Sequence, residues 1–230
     1  MKLSLCLLTL NEIDGCKKDI PKIKRLRKHF FEIFAVDNGS TDGTVEFLKK
    51  QGIKVISKPK ISYNAMHSIA VKNTQADAIV FFPPKGTNSV KDCLKFERYF
   101  NKGYEFIVAS RTIKGGKNED DKHFFKPRKW LTITLALVTA IRWRREGNII
   151  WDVLHVFRGT TVSSFKKSKI YTTGETFDID EVTKSYIHKL KRIEFPTTEH
   201  PRTSGQTHFK TIPFGIKIFK YFFSEALKFN

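Results

Sequence analysis

Apolar and polar positions divide the first half of the chain into short apolar runs separated by helical patterns. Residues 3–8, 32–36, 54–57, 78–82 and 106–109 read as strands, and about 20–30, 44–51, 63–72 and 90–101 as helices. Strands separated by single helices predict an α/β domain on a mainly parallel sheet flanked by helices. Ligands bind such sheets at the carboxyl ends of the strands, so the segments after Leu8, Val36, Phe82 and Ala109 are the ones to inspect.

Those segments are polar. They read Thr9-Leu10-Asn11-Glu12, Asp37-Asn38-Gly39-Ser40-Thr41-Asp42-Gly43-Thr44, Pro83-Pro84-Lys85-Gly86-Thr87, and Ser110-Arg111 ahead of Gly115-Gly116. Further on, residues 114–128 have the charge and glycine content of a loop. Residues 130–143 read as an apolar helix bounded by Arg128, Lys129, Arg142, Arg144 and Arg145. From 212 to 229, Phe214, Ile218 and Phe222 recur at helical spacing among lysines, a basic amphipathic pattern. The longest apolar run falls short of the ~20 residues a spanning helix needs, so none is predicted. The apolar start of the chain is followed by no small-residue cleavage site and reads as a first strand.

Composition narrows the class. A chain of 230 residues suits one domain, and 40% apolar residues with 21 phenylalanines exclude a disordered basic tail. Lys and Arg number 42 against 23 Asp and Glu, and 42 − 23 leaves +19. Such a field attracts nucleic acid, anionic lipid or phosphorylated small molecules without choosing among them. The nucleic-acid reading lacks any RNA-binding or zinc-finger motif. Cys6, Cys16 and Cys93 have no metal-ligand spacing and suit packing roles in a reducing cytoplasm.

An aspartate at a strand end can accept hydrogen bonds from a ribose or base, and the Gly, Ser and Thr that follow it permit a tight turn capping the next helix. That turn alone is also compatible with plain structure. The ordered segments TLNE (9–12), VDNGSTDGT (36–44), SRTIKGG (110–116), DVLHVFR (152–158), FDIDE (177–181) and PRTSGQTHFK (201–210) go further. Together they resemble the family 2 glycosyltransferases of GT-A fold, within them the dolichyl-phosphate mannosyltransferase and polyprenyl-phosphate glycosyltransferase group.

The resemblance implies roles. Thr9, Asn11, Glu12 and Asp37 would hold the nucleoside of a nucleotide-sugar donor. Arg202 and Lys210 would fold over its diphosphate. Arg111 would hold phosphate, and Arg128 with Thr132 would bind the acceptor phosphate. Asp152 and the Phe157-Arg158 pair would lie beside the sugar. Asp180 stands where the family usually has Glu, with a capping or a catalytic role. On the bland reading, Arg111, Arg128 and Arg202 are solvated charges among many, and His155 and His208 are structural. Residues 1–210 would form the catalytic domain, with 124–146 an interfacial helix, and 211–230 a separate basic helix.

One departure stands out. Where the family places Asp-x-Asp for Mg²⁺ or Mn²⁺, this chain has Pro83-Pro84-Lys85. Hard divalent cations need oxygen ligands, so no metal and no cofactor beyond the substrate is expected. Asn38 likewise replaces the family's common second Asp. Either Lys85 neutralises the leaving diphosphate, making Lys85, Arg111 and Asp152 the catalytic set, or the protein binds without turnover. The expected enzyme is an inverting hexosyltransferase acting on polyprenyl phosphate. Its expected place is peripheral, at the cytoplasmic membrane face, with the apolar 130–143 helix and the tail lying in the interface.

Overall fold

The computed structural model describes residues 1–118, 121, 126–169, 176–201, 217–218, 220–222 and 224. Its strands are β1 (Leu3–Thr9), β2 (Glu32–Asp37), β3 (Lys54–Ser57), β4 (Ala78–Phe82), β5 (Phe106–Ser110), β6 (Arg158–Thr161) and β7 (Arg192–Pro196). They form one sheet in the order β3-β2-β1-β4-β6-β5-β7, parallel except for β6, which runs antiparallel to both neighbours. The helices are α1 (Ile13–Arg25), α2 (Thr44–Lys50), α3 (Tyr63–Asn73), α4 (Cys93–Asn101), α5 (Pro127–Trp143), α6 (Val162–Ser168) and α7 (Phe177–Ile187). The expected α/β architecture, a mainly parallel sheet flanked by helices, is the one observed.

The central strands are apolar throughout because both faces are covered. Leu3, Leu5 and Leu7 of β1 point to one side with Val80 and Phe82 of β4, against Cys16, Ile20 and Ile23 of α1 and Phe96 and Phe100 of α4. Cys6 and Leu8 point to the other, with Ile79 and Phe81, against Met66 and Ala70 of α3. Phe106 and Val108 of β5 meet a third cluster built by α5 and α7. Each such side chain contributes about 1.5–3 kcal/mol by leaving water. All three cysteines are buried, and burial raises their thiol pKa values, pushing Cys16 to about 12. They are packing residues.

Two boundaries differ from the sequence reading. The first helix begins seven residues earlier than position 20 and ends at Arg25, with a short 3-10 turn at Arg27–His29. Its buried stripe, Gly15, Cys16, Asp19, Ile20 and Ile23, already runs at helical spacing, and Pro21 is carried inside the helix. The second difference concerns the tail. Ile218 and Tyr221 lie in the core cluster with Leu135, Trp143 and Ile179, and Phe222 stacks on Trp143 at 5.7 Å between ring centroids. The described part of the tail thus buries its apolar face against α5 and α7, a correction to its expected insertion into lipid.

Candidate functional site

The turns after β1 and β2 are stapled together. Thr9 and Asp37 are register partners at the ends of their strands. The Asp37 Oδ2 accepts from Thr9 Oγ1 at 2.8 Å and from Ser40 Oγ, while Oδ1 accepts the Gly39 and Ser40 amides at 2.9 Å each. Gly39 supplies the positive φ, 88°, that this turn requires. Asn11, itself left-handed at φ 54°, donates its amide to Ser40 Oγ and accepts the Thr41 amide, both at 2.8 Å. Asp42 accepts the Ile13 amide at 3.0 Å and so ties the start of α1 to the second turn.

This geometry sorts the four expected nucleoside residues. Asp37 and Thr9 are enclosed, and both carboxylate oxygens of Asp37 are used by the turn, so the pair shapes this edge from within. Asn11 is exposed and Glu12 half-buried at the outer side of the same edge.

The loop after β4 is clamped to α1. The Gly86 amide donates to Asp19 Oδ2 at 2.8 Å, and Asp19 is buried, which raises its carboxyl pKa. Gly15 lets the helix approach: a Cβ there would sit 2.2 Å from the Pro84 carbonyl oxygen and 2.6 Å from Lys85 Cα. Lys85 is half-buried within this clamp, close enough to Asp178 for its charge to favour the ionised carboxylate.

Beyond β5 the expected phosphate-binding arginine is already occupied. The Asp152 Oδ2 accepts from the Arg111 amide and Nε, at 2.9 and 2.8 Å, and Oδ1 accepts from Nη2 at 2.9 Å. Arg111 Nη1 donates to Glu199 Oε2 at 2.7 Å. Burial works against the charge on Asp152, yet Arg111 overrides it and holds the carboxyl at about 2. Burial likewise opposes the Arg111 charge, and the two carboxylates more than restore it. The resemblance gives Arg111 a phosphate and places Asp152 beside the sugar; in the structure the two are paired with each other, and Asp152 is fully enclosed. Two carboxylates against one guanidinium leave no positive excess.

The Phe157-Arg158 pair is also internal. Phe157 packs between Phe82 and Phe96, at 5.0 and 5.1 Å. Arg158 is wholly buried and donates to the carbonyls of His155 and Asp178 and to Glu181 Oε2, at 2.8, 3.0 and 3.2 Å. Asp178 Oδ1 lies 3.3 Å from its Nη2. Burial outweighs Arg158 and raises Asp178 to about 6 and Glu181 to about 7. His155 Nδ1 donates to the Ala109 carbonyl, and burial lowers the imidazole to about 4, so it is neutral and positions the end of β5.

The remaining expectations divide in the same way. Asp180, at the start of α7, accepts from the Tyr221 hydroxyl at 2.8 Å and anchors the C-terminal segment. Thr132 is buried on the inner face of α5, not presented on its surface. The Arg128 side chain, Arg202, His208 and Lys210 lie outside the described residues. Sequence reasoning missed Asp19, Glu194 and Glu199. The first looks like any helix-surface acid; Glu194, whose Oε1 accepts the Asp152 amide at 2.8 Å, and Glu199, which accepts from Arg111, have no spacing that announces their partners.

The glycosyl transferase family 2 model matches residues 4–170. Glycosyltransferase AglJ of Haloferax volcanii is 21% identical over 177 residues, covering 76% of this chain; the match spans 56% of that relative. Glucosyl-3-phosphoglycerate synthase of Mycobacterium tuberculosis in complex with uridine diphosphate superimposes with a TM-score of 0.72 at 14% identity, over 98% of this chain and 80% of the synthase. The same enzyme with Mn²⁺ and uridine-diphosphate-glucose gives 0.65 at 14% identity, over 98% and 79%. The fold is thus GT-A.

The end of β4 does not fit the divalent cation found with that enzyme. It offers a lysine and two prolines, and the Pro83 carbonyl accepts the Lys85 amide at 2.9 Å. Among the described residues, no group of three His, Cys, Asp or Glu side chains is placed to hold a metal. The matched span carries β1 to β6 with the turns after β1, β2, β4 and β5, and the chain belongs to glycosyl transferase family 2.

Proposed function

We propose that the protein transfers a hexosyl group, with inversion, from a nucleotide sugar to polyprenyl phosphate at the cytoplasmic membrane face, with Lys85 carrying the charge at the diphosphate. The observation that supports this most is the position of Lys85. It follows β4, on a loop fixed to α1 by Gly86 and Asp19, beside the stapled turns of β1 and β2. The donor class follows the structural relatives, which bind uridine diphosphate and its glucose ester.

In this reading an acceptor phosphate oxygen attacks the anomeric carbon, whose bond to the nucleoside diphosphate breaks with its electron pair leaving on the diphosphate. A phosphate monoester is ionised near neutral pH, so the step needs alignment and charge neutralisation more than a base. Lys85 supplies a point charge to the leaving group, joined by Arg202 and Lys210 as the sequence motif implies. Arg111, Asp152 and Glu199 hold the β5 turn rigid beside them.

Incubation with labelled GDP- and UDP-sugars and polyprenyl phosphate, with and without EDTA, tests the reading. Transfer that survives EDTA is expected; transfer abolished by EDTA removes the role of Lys85. A second reading, a nucleotide-binding protein without turnover, draws on the neutralised Arg111, and predicts nucleotide binding with no transfer to any acceptor. The phosphoglyceric acid bound by the relative makes a small phosphorylated acceptor the control arm.

A further inference from the structure

A cleft opens beside β7, the edge strand of the sheet, on the half that carries the β5 turn. It measures about 440 Å³ and is walled by Ile113, Ile149, Trp151 and Ile193, with Arg144, Asn148 and Glu194 as its polar groups. That size and that mixture, mostly apolar with a few polar side chains, are those of a small-molecule site. Among the described residues, none from the turns of β1, β2 or β4 lines it. It adjoins the β5 turn instead: Ile113 follows Arg111 in that turn, and Glu194 Oε1 accepts the Asp152 amide at 2.8 Å.

Three side chains there have capacity that the fold leaves unused. Trp151 is half-buried and packs against the third core cluster, and among the described residues its indole has no ring contact and no hydrogen bond. Arg144 donates Nη1 to the Gly147 carbonyl at 2.9 Å, yet its buried Nε–H has no acceptor and no carboxylate among the described residues pairs with it. Asn148 is exposed and gives one amide hydrogen to the Arg192 carbonyl at 3.3 Å, which leaves its side-chain oxygen.

This combination selects a ligand. An aromatic face suits an apolar ring face, and donors beside acceptors suit hydroxyls, which can do both. A pyranose carries the two together, CH groups on its faces and hydroxyls around its rim. A phosphate fits poorly: one arginine beside one acid gathers no cationic excess, in a chain whose formal charge is +19. The adjoining hollow of about 370 Å³ shares Gly147 and Asn148, but its aromatic ring, Tyr104, is covered by Lys191 at 4.8 Å. The platform is therefore one ring long.

We infer that the β7 cleft binds the pyranose ring of an uncharged sugar, separately from the nucleotide-sugar donor, with Trp151 as its platform and Arg144, Asn148 and Glu194 on its hydroxyls. The site stands apart from the acceptor of the reading above: it neither needs polyprenyl phosphate nor excludes it.

Saturation-transfer NMR of the full chain with methyl glucoside and methyl mannoside, without nucleotide or lipid, tests it. At least one should bind with a Kd on the order of 1 mM, the range open to so small a ligand, and binding should survive saturating UDP and GDP. Trp151→Ala should weaken it at least tenfold, while Trp151→Phe, which keeps a ring, retains part. No binding of either glycoside to wild type, displacement by either nucleotide, or equal affinity of wild type and Trp151→Ala overturns the inference. So does glucose 6-phosphate binding tenfold more tightly than methyl glucoside to wild type but not to Arg144→Gln, the mark of a phosphate site. If Trp151→Ala fails to fold, Arg144→Gln and Trp151→Phe decide: unchanged affinity in both overturns it. Glycoside binding without transfer to any acceptor leaves the cleft intact and sinks only the proposed activity.

Discussion

Arg111 and Asp152 are locked face to face, Nε to Oδ2 at 2.8 Å and Nη2 to Oδ1 at 2.9 Å, with Asp152 completely enclosed. Removing one member of such a pair strands the other's charge. Asp152→Asn is expected to destabilise the fold by about 3–5 kcal/mol, read by urea unfolding. Glu199→Gln should cost less, because Arg111 keeps both bonds to Asp152. A near-neutral Asp152→Asn would show that the pair holds nothing together.

Gly15→Ala sets two effects against each other. Alanine gains up to about 1 kcal/mol in helix propensity, but its Cβ would press on the backbone of Pro84 and Lys85. Backbone cannot swing aside, so overpacking of about 1–3 kcal/mol should win. The expected result is a lower melting temperature together with weaker transfer, since the loop carrying Lys85 shifts. A variant more stable than wild type would refute the tight approach.

Lys85→Ala should reduce kcat by about 10²–10³-fold, the loss typical of one preorganised charge at a developing anion. Lys85→Arg should recover part of it. The check is steady-state transfer in EDTA, with kcat and KM read separately. Unchanged kcat removes Lys85 from the chemistry.

The buried acids give stability a pH dependence of known sign. Glu181 ionises near 4.5 when unfolded and near 7 in the fold, because burial outweighs Arg158. Between those values the folded state holds the extra proton, so this group's contribution is complete below about 4.5 and is lost as pH rises through about 7. Glu181→Gln mimics the protonated form. Relative to wild type it should be more stable at pH 8 than at pH 5, with a swing on the order of 1–2 kcal/mol in urea midpoints. An unchanged difference between the two pH values would remove Glu181 as the source.

Much of this was legible in the chain. Strands β1, β4 and β5 announce themselves because both of their faces are buried, so nearly every residue is apolar. The short β6, Arg158-Gly159-Thr160-Thr161, carries no such signal: its arginine is paid for by acids on α7 that lie twenty residues away. The turns after β1 and β2 were visible as polar motifs, but their side chains point inward as often as outward. Motif spacing locates Thr9, Asp37, Arg111 and Asp152 at one edge. It does not say that Asp37 serves its own turn or that Arg111 is already neutralised, since those facts depend on partners such as Ser40 and Glu199.

Strands β4 and β5 never touch within the sheet; β6 alone joins them, through four residues. The turns of β1, β2 and β4 therefore belong to one half of the sheet, and the β5 turn, β7 and the helix α5 packed on them to the other. Gly159 at the seam is hemmed in by Phe96 and Phe100, where an added Cβ would come within 2.9 and 3.0 Å. At the carboxyl edge the two halves are also tied directly, the His200 amide donating to the Thr87 carbonyl at 2.8 Å and Thr197 Oγ1 to Asp92 Oδ2 at 2.6 Å, so their spacing there is held from both ends, by the seam within the sheet and by these bonds beyond it.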